Sequence, residues 1–325
     1  MARPLIAVVV STRDRPRHLA RLLAALQAQT LAADRFEVIV VDNGTERRPP
    51  GVAGLPIVPG ADARGALDVR VLTPGTAGGP AAGRNLGWRA ARAPLIAFTD
   101  DDCEPSAPWL AAALVAAERH PGAIVQGLTD PIADERHNNG LLAHTVRIAT
   151  LGPQYETCNI VYPRAMLAAL DGFDESFGSE PAGEDTDLAW RALAAGYTAV
   201  LAPDAIVHHA VVVQSPREAL RRAGRWSAVV RVFARHPDAR VMLHRRCFWN
   251  VWHYLMWRSL LSIPAPRWLR CLVLTRHAVL LTHRAREAGV RGPGLLAAVP
   301  FLAIHDAVEC AAITRGAWRA RTFVL

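Results

Sequence analysis

The chain contains no lysine. All 37 of its basic side chains are arginines, which excludes ammonium groups and leaves only permanently charged guanidiniums, whose forked donors suit phosphate. Cysteine is scarce too. Cys103, Cys158, Cys247, Cys271 and Cys310 are odd in number and show no CxxC or CxxH spacing, so they give neither a zinc knuckle nor a disulfide framework. Long apolar runs are missing. Leu5–Val10 is too short for a signal-peptide core, and Leu295–Ile304 is interrupted by Pro300 and followed by His305, Asp306 and Glu309. A membrane-spanning helix needs about 20 apolar residues, so nothing here is expected to span. The expected location is a reduced, cytoplasmic compartment, with the tail peripheral on the inner face of the cell membrane. No internal repeat is present.

What is there is a chain of 325 residues, 51% hydrophobic and 20% charged. That composition excludes a disordered protein, a collagen and a small disulfide scaffold. The length suits one large domain or one domain with an appendage. The net charge of +8 conceals a split: residues 1–210 carry 18 Arg against 24 acids, whereas residues 211–325 carry 19 Arg against 5. The first part alternates strand-like and helix-like segments. Leu5–Val10, Phe36–Val41, Val69–Leu72, Leu95–Phe98 and Ala123–Gly127 read as strands. Pro16 opens a helix with Leu19, Leu22, Leu23 and Leu26 on one stripe, Pro80–Arg92 reads as a second, and Ser106 can cap a third ending near His120. Glu46–Gly65, rich in Pro and Gly, reads as a loop or mobile insertion. This alternation predicts an α/β fold on a largely parallel sheet. After residue 210 the strand signals stop, and Arg-studded helical segments hold six of the nine Trp.

In an open parallel sheet, ligands bind beyond the carboxyl ends of the strands. Those ends read Ser11-Thr12-Arg13-Asp14, Asp42-Asn43-Gly44 and Thr99-Asp100-Asp101-Asp102. Asp42-Asn43-Gly44 alone is an ordinary turn. Three successive aspartates after an apolar strand are not, because their repulsion needs a cation or solvent to relieve it. Hard oxygen donors suit Mg²⁺ or Mn²⁺, which commonly bridge to substrate phosphates.

The segments VVVSTRDRPRHLARLLAAL, FEVIVVDNGT, GPAAGRNLGWRAA, LIAFTDDDCEPSAPWL and GFDESFGSEPAGEDTDLAWRALAAGY together resemble a family 2 glycosyltransferase over residues 4–210. The resemblance implies a GT-A fold: a Rossmann-like, mostly parallel sheet flanked by helices. It divides the chain into a catalytic domain over 1–210, with a nucleotide-sugar half to about residue 103 and an acceptor half beyond it, and a helical, Arg- and Trp-rich extension over 211–325. It further implies an inverting, DxD-type enzyme using a nucleotide-diphosphate sugar, UDP-sugar favoured, and a divalent metal (Mn²⁺ or Mg²⁺). The acceptor would be a glycan, a lipid-linked molecule or a small molecule. By the same resemblance Thr12 and Asp14 border the nucleotide, Asp42 bonds the base, and Arg84 and Asp101 lie beside the nucleotide. Asp100 points towards ribose or metal, and Asp102 is the direct metal ligand. Asp185 is the catalytic base next to Glu184, His208 completes the metal site, and Asn159 and Trp190 stand on the acceptor side.

Plainer readings exist for several of these. Arg84 on an exposed helix face would be an ordinary surface residue. Acids at 184, 185 and 187 suit a first helical turn, and Asp187 can pair with Arg191 four residues on. Trp190 can pack into a core, and Cys103 can simply be buried. Two other functions compete. A sugar-phosphate nucleotidyltransferase would usually place a Gly-rich signature after strand one, where Ser11–Pro16 has no Gly. A basic protein binding nucleic acid or membrane on a degenerate catalytic domain would keep the arginines. However, helix-turn-helix, RNP and zinc patterns are all missing, so no nucleic acid is expected. The +14 tail with Trp226, Trp249, Trp252, Trp257 and Trp268 suits an anionic membrane surface, or a helical cap whose tryptophans fill its own core.

Overall fold

The uncharged, β-branched run Ile6–Thr12 forms strand β1, buried on both faces as a central parallel strand must be. The computed structural model describes residues 3–44, 67–74, 78–138, 140–178 and 183–325; Glu46–Gly65 lies outside them. On one side of β1, strand β2 (Phe36–Asp42) pairs parallel in the register Ile6↔Phe36 to Thr12↔Asp42, with β3 (Val69–Leu72) parallel beyond it. On the other side β4 (Leu95–Phe98) is also parallel. Parallel neighbours need crossovers, supplied by helix α1 (Pro16–Gln27) after β1 and α2 (Pro80–Ala90) before β4.

The chain continues through β5 (Cys103–Pro105), α3 (Trp109–Arg119), β6 (Ile124–Pro131), β7 (Ala143–His144), β8 (Ile160–Pro163), α4 (Arg164–Ala169), α5 (Glu184–Ala194), β9 (Ala199–His209) and β10 (Val212–Val213). The main sheet runs β3-β2-β1-β4-β8-β6-β9-β5. Strand β8 enters antiparallel between β4 and β6, and β5 lies antiparallel on β9 at the edge, while β6 and β9 are parallel. Every strand expected between residues 5 and 127 is present. One expectation fails in detail: Ser106 does not cap α3 with its side chain. Its hydroxyl is buried without a hydrogen-bond partner, its carbonyl accepts the Trp109 amide at 3.0 Å, and Gln29 Oε1 accepts the Leu110 amide at 3.0 Å.

Period-2 alternation sorts the sheet into two faces. Ile6, Val8, Val10, Val38 and Val40 pack with Leu19, Leu22 and Leu26 of α1 and Trp109 and Leu110 of α3. Ala7, Val9, Ile39 and Val41 pack with Trp88 of α2 and Leu188, Ala189 and Ala192 of α5. Each fully buried Val, Leu or Ile contributes about 1.5–3 kcal/mol, so both faces resist displacement of the strand ends. These elements form one compact unit, Met1–Ala133 with Thr145–Ala210.

Asp134–His144 and Val211–Leu325 form a second unit. It holds the ribbon of β7 with β10, which is too short to have a sequence signal, and helices α6 (Pro216–Ala223), α7 (Val230–Arg235), α8 (Val251–Leu261), α9 (Arg267–Glu287) and α10 (Leu295–Arg319). A capping box between Ser215 and Glu218 starts α6, and Asn250 caps α8 by accepting the Trp252 and His253 amides. Helices α9 and α10 pack through Leu281, Ala285, Ala298 and Leu302 and through an Arg284–Asp306 ion pair at 2.9 Å. The expectation that nothing is long enough to span a membrane is corrected here. Helix α10 continues past Pro300, and Gly292–Arg319, which includes an 18-residue stretch with a mean hydropathy of 1.6, is by length and composition able to cross one. Its acids do not interrupt it because they turn inward: Asp306 is paired with Arg284, and Glu309 accepts from Asn250 at 3.1 Å.

Candidate active site

The parallel register brings the ends of β1 and β2 level, and the Thr12 carbonyl accepts the Asn43 amide at 2.8 Å. Beyond these ends Asp42 Oδ1 accepts the Gly44 amide at 2.9 Å. A Cβ on Gly44 would lie 3.0 Å from Asp42 Oδ1 and 3.7 Å from Asp14 Oδ1, so the two carboxylates converge there. Asp14 is exposed and takes a left-handed φ of 55°, a conformation Asp tolerates better than most residues.

The three aspartates after β4 have separate partners. Asp100 Oδ1 accepts from Arg84 Nη2 at 3.0 Å. Asp101, buried, accepts from Thr12 Oγ1 at 2.7 Å and from Arg15 Nη1 at 3.1 Å. Burial nevertheless dominates and holds the Asp101 carboxyl above its ordinary range. Asp102 accepts from the same Arg15 Nη1 at 2.9 Å, and its Oδ1 lies 3.4 Å from His209 Nε2. The like-charge repulsion is thus relieved by two arginines.

Arg84 joins this edge to helix α5. Its Nη1 donates to Glu184 Oε1 at 2.9 Å while Nη2 holds Asp100. Arg84 is 7% exposed, so it is no surface residue; burial works against its charge, but Asp100, Glu184 and Asp185 outweigh that and raise its pKa. Glycines place it. A Cβ at Gly83 would lie 2.5 Å from Asn43 Nδ2 and from Ser11 Oγ, and one at Gly87 would lie 2.4 Å from Val9 Cγ1. Only glycine lets α2 sit this close to the strand ends.

Asp185 stands in the first turn of α5, where the helix dipole favours its anion. Desolvation and then neighbouring Glu184 prevail, and its pKa is pushed up to about 8. Asp187, by contrast, pairs with Arg191 at 2.8 Å and is structural.

His209 Nδ1 lies 2.8 Å from the Ala210 carbonyl. A carbonyl only accepts, so Nδ1 carries the proton and Nε2 faces Asp102 Oδ1. Two acceptors facing at that distance call for a proton or a cation between them. Donor atoms of Asp102, Cys103 and His209 lie within 4.8 Å of one another. Burial keeps the Cys103 thiol protonated far above its ordinary range, which leaves a carboxylate and an imidazole, a donor pair that fits Mn²⁺ or Mg²⁺.

Three expected positions are placed differently. His208 does not reach Asp102. Successive strand residues face opposite ways, and His209 is the one opposite Cys103, whereas His208 lies opposite Glu104 and Asp130. Asn159 is not open to an acceptor: it is 1% exposed, donates to the Leu128 and Ala205 carbonyls at 2.7 and 2.8 Å, and accepts from Trp109 Nε1 at 2.8 Å. Trp190 is half-buried, with Nε1 donating to the Pro153 carbonyl at 3.1 Å. Sequence reasoning missed Arg15 and His209. The two arginines directly after β1 were a signal for the first; strand alternation, had the β5–β9 pairing been known, was a signal for the second.

A sheet of this order, with clustered acids and arginines beyond its strand ends, defines a GT-A fold, and comparison with known proteins agrees. Residues 7–169 match the model of glycosyl transferase family 2, and residues 155–304 that of glycosyl transferase family group 2. The chain belongs to glycosyl transferase family 2. It is 29% identical over 248 residues to pre-mycofactocin glycosyltransferase of Mycobacterium tuberculosis, covering 72% of this chain and 48% of the relative. The chain thus spans about half the length of that curated relative. Two solved structures share the fold. Mannosyltransferase PcManGT from Pyrobaculum calidifontis, in complex with GDP-Man and Mn²⁺, superposes with a TM-score of 0.57 at 20% identity over 99% of this chain and 88% of its own. TarS 1–349 from S. aureus, in complex with UDP, gives 0.51 at 18% over 98% and 92%.

Proposed function

We propose that this enzyme transfers a sugar from a nucleotide-diphosphate donor to an acceptor hydroxyl in one displacement, inverting the anomeric carbon, with Asp185 as base. The observation that carries the reading is the Arg84 bridge. One guanidinium ties the strand-end acid Asp100 to the helix turn that bears Asp185, so the groups suited to donor and to acceptor belong to one rigid network.

In this reading the ionised form of Asp185, which becomes the major one above its pKa of about 8, takes the proton of the acceptor hydroxyl as that oxygen attacks the anomeric carbon. The new carbon–oxygen bond forms as the bond to the diphosphate breaks, so no covalent enzyme intermediate arises. Asp42, Thr12 and Asp14 border the nucleotide. Asp42 can accept from the imide N–H of uracil, which favours a UDP-sugar, as does the UDP in the TarS complex. Arg84 and Arg15 offset charge on the departing diphosphate. Asp102 and His209 would hold a divalent cation, which would neutralise diphosphate charge; the Mn²⁺ of the Pyrobaculum calidifontis mannosyltransferase complex supports that choice. The acceptor is a glycan, a lipid-linked molecule or a small molecule.

The test is a panel of UDP-, GDP- and dTDP-sugars with and without Mn²⁺, read by slow donor hydrolysis and by titration calorimetry. One nucleotide should bind in a metal-dependent way, and Asp102→Ala should lose that binding with the fold intact. Metal-independent binding unaffected by the substitution would overturn the cation assignment.

A further inference from the structure

We propose that the outer faces of α9 and α10 dock the second unit onto an anionic lipid surface. Trp226, Trp249, Trp252 and Trp257 are partly covered within the protein, but Trp268 and Trp318 stand 70% and 86% exposed. Trp268 begins a stripe along α9 with Leu272, Thr275 and Val279, spaced four, three and four residues apart and therefore on one face. Leu272 and Val279 are 60% and 61% exposed, and α9 buries only Leu281 and Ala285. On α10, Leu296, Pro300, Ile304, Ala307 and Ala311 face outward while Asp306 and Glu309 face inward. A soluble monomer rarely leaves contiguous apolar faces of this kind uncovered.

Charge decides what covers them. Residues 239–286 hold nine arginines and not one acid, and Arg267 and Arg276, both exposed, lie to either side of the α9 stripe. A second copy of this chain would set those guanidiniums against their own kind. A layer of phosphodiester headgroups pairs with them, in the forked geometry that guanidinium offers phosphate, while indoles settle at the polar–apolar boundary. The inward acids of α10 are already paired, so the helix offers lipid an apolar face and can lie in the plane of the surface.

The test is flotation of the full chain with phosphatidylcholine vesicles containing phosphatidylglycerol and with pure phosphatidylcholine. Binding should be selective for the anionic vesicles and weaken with salt. Arg267→Gln with Arg276→Gln should weaken it roughly thirtyfold, at about 1 kcal/mol per charge. The triple change Trp268→Ser, Leu272→Ser, Val279→Ser should weaken it about tenfold or more. These positions are exposed, so circular dichroism and donor hydrolysis should match the parent; if the triple variant misfolds, the arginine pair still decides. Three results would overturn the proposal: no flotation with either vesicle; equal, salt-resistant flotation with both, the behaviour of an inserted helix; or a dimer by light scattering that the triple variant dissociates without any lipid binding.

Discussion

Asp185→Asn should make the protein more stable while nearly abolishing transfer. The carboxyl has a pKa of about 8 in the folded chain against an ordinary 3.8. Below about pH 4 it is protonated in both folded and unfolded chains and contributes nothing to the pH dependence. As pH rises from there towards 8, the unfolded chain ionises and the folded one does not, so stability falls, and above about 8 the loss is constant. For a dry site that would amount to about 6 kcal/mol, at about 1.4 kcal/mol per pH step. Asp185 keeps a minor part of its surface in water, so desolvation is incomplete and the expected loss is about 1–3 kcal/mol. Asn keeps an oxygen that can accept the Thr186 amide, as Asp185 Oδ1 does at 2.8 Å, and carries no charge. Its melting temperature should therefore exceed the parent's by roughly 3–8 °C at pH 8.5, and the gap should shrink as pH is lowered to 5. Melts across this range, without nucleotide, measure it. Parallel curves, or an Asn variant that melts lower at pH 8.5, would refute the assignment of a strained carboxyl to this position. Transfer by the same variant should drop by about 10²–10⁴ with donor binding kept.

Exchange of the two adjacent histidines separates their roles: His209→Ala should weaken Mn²⁺-dependent nucleotide binding in calorimetry, and His208→Ala should leave it within about twofold. Asn159→Ala should cost about 3 kcal/mol in denaturant unfolding, because the Leu128 and Ala205 carbonyls and the Trp109 indole each lose a partner; it should not alter the acceptor KM of the folded fraction. Arg84→Gln should leave Asp100 and Glu184 without their shared cation, raising the donor KM and displacing the acid limb of the pH–rate profile upward, since the Arg84 charge lowers the Asp185 pKa.

The strand-end residues were legible because each follows its own strand directly: Thr12, Asp42 and Asp100–Asp102 need only local apolar runs to be located. What escaped depended on pairings distant in sequence. Whether residue 208 or 209 faces Asp102 is decided by the antiparallel register Cys103↔His209, which no local pattern contains. Arg15 meets Asp101 and Asp102 across more than eighty residues. The polarity of Asn159 suggested a wet site, yet it serves backbone carbonyls from β6 and β9 at the point where the register between those two strands shifts, between Gly127 and Leu128. In the tail, Pro300 and two acids concealed a continuous helix, since whether an acid faces inward depends on partners such as Arg284.

The contact of Gly83 and Gly87 with the ends of β1 and β2 has a consequence for anyone redesigning this enzyme. Under the proposed function, loop changes can alter which sugar or acceptor is admitted, because loops can be exchanged without moving the seam between helix and sheet. A single methyl group added at that seam acts differently. At Gly87 it would meet Val9, and at Gly83 both Asn43 and Ser11, so α2 would have to lift. Arg84, carried between the two, would then release Asp100 and Glu184 together. Specificity and competence are therefore separable by position: libraries should vary the loops and hold these two glycines constant.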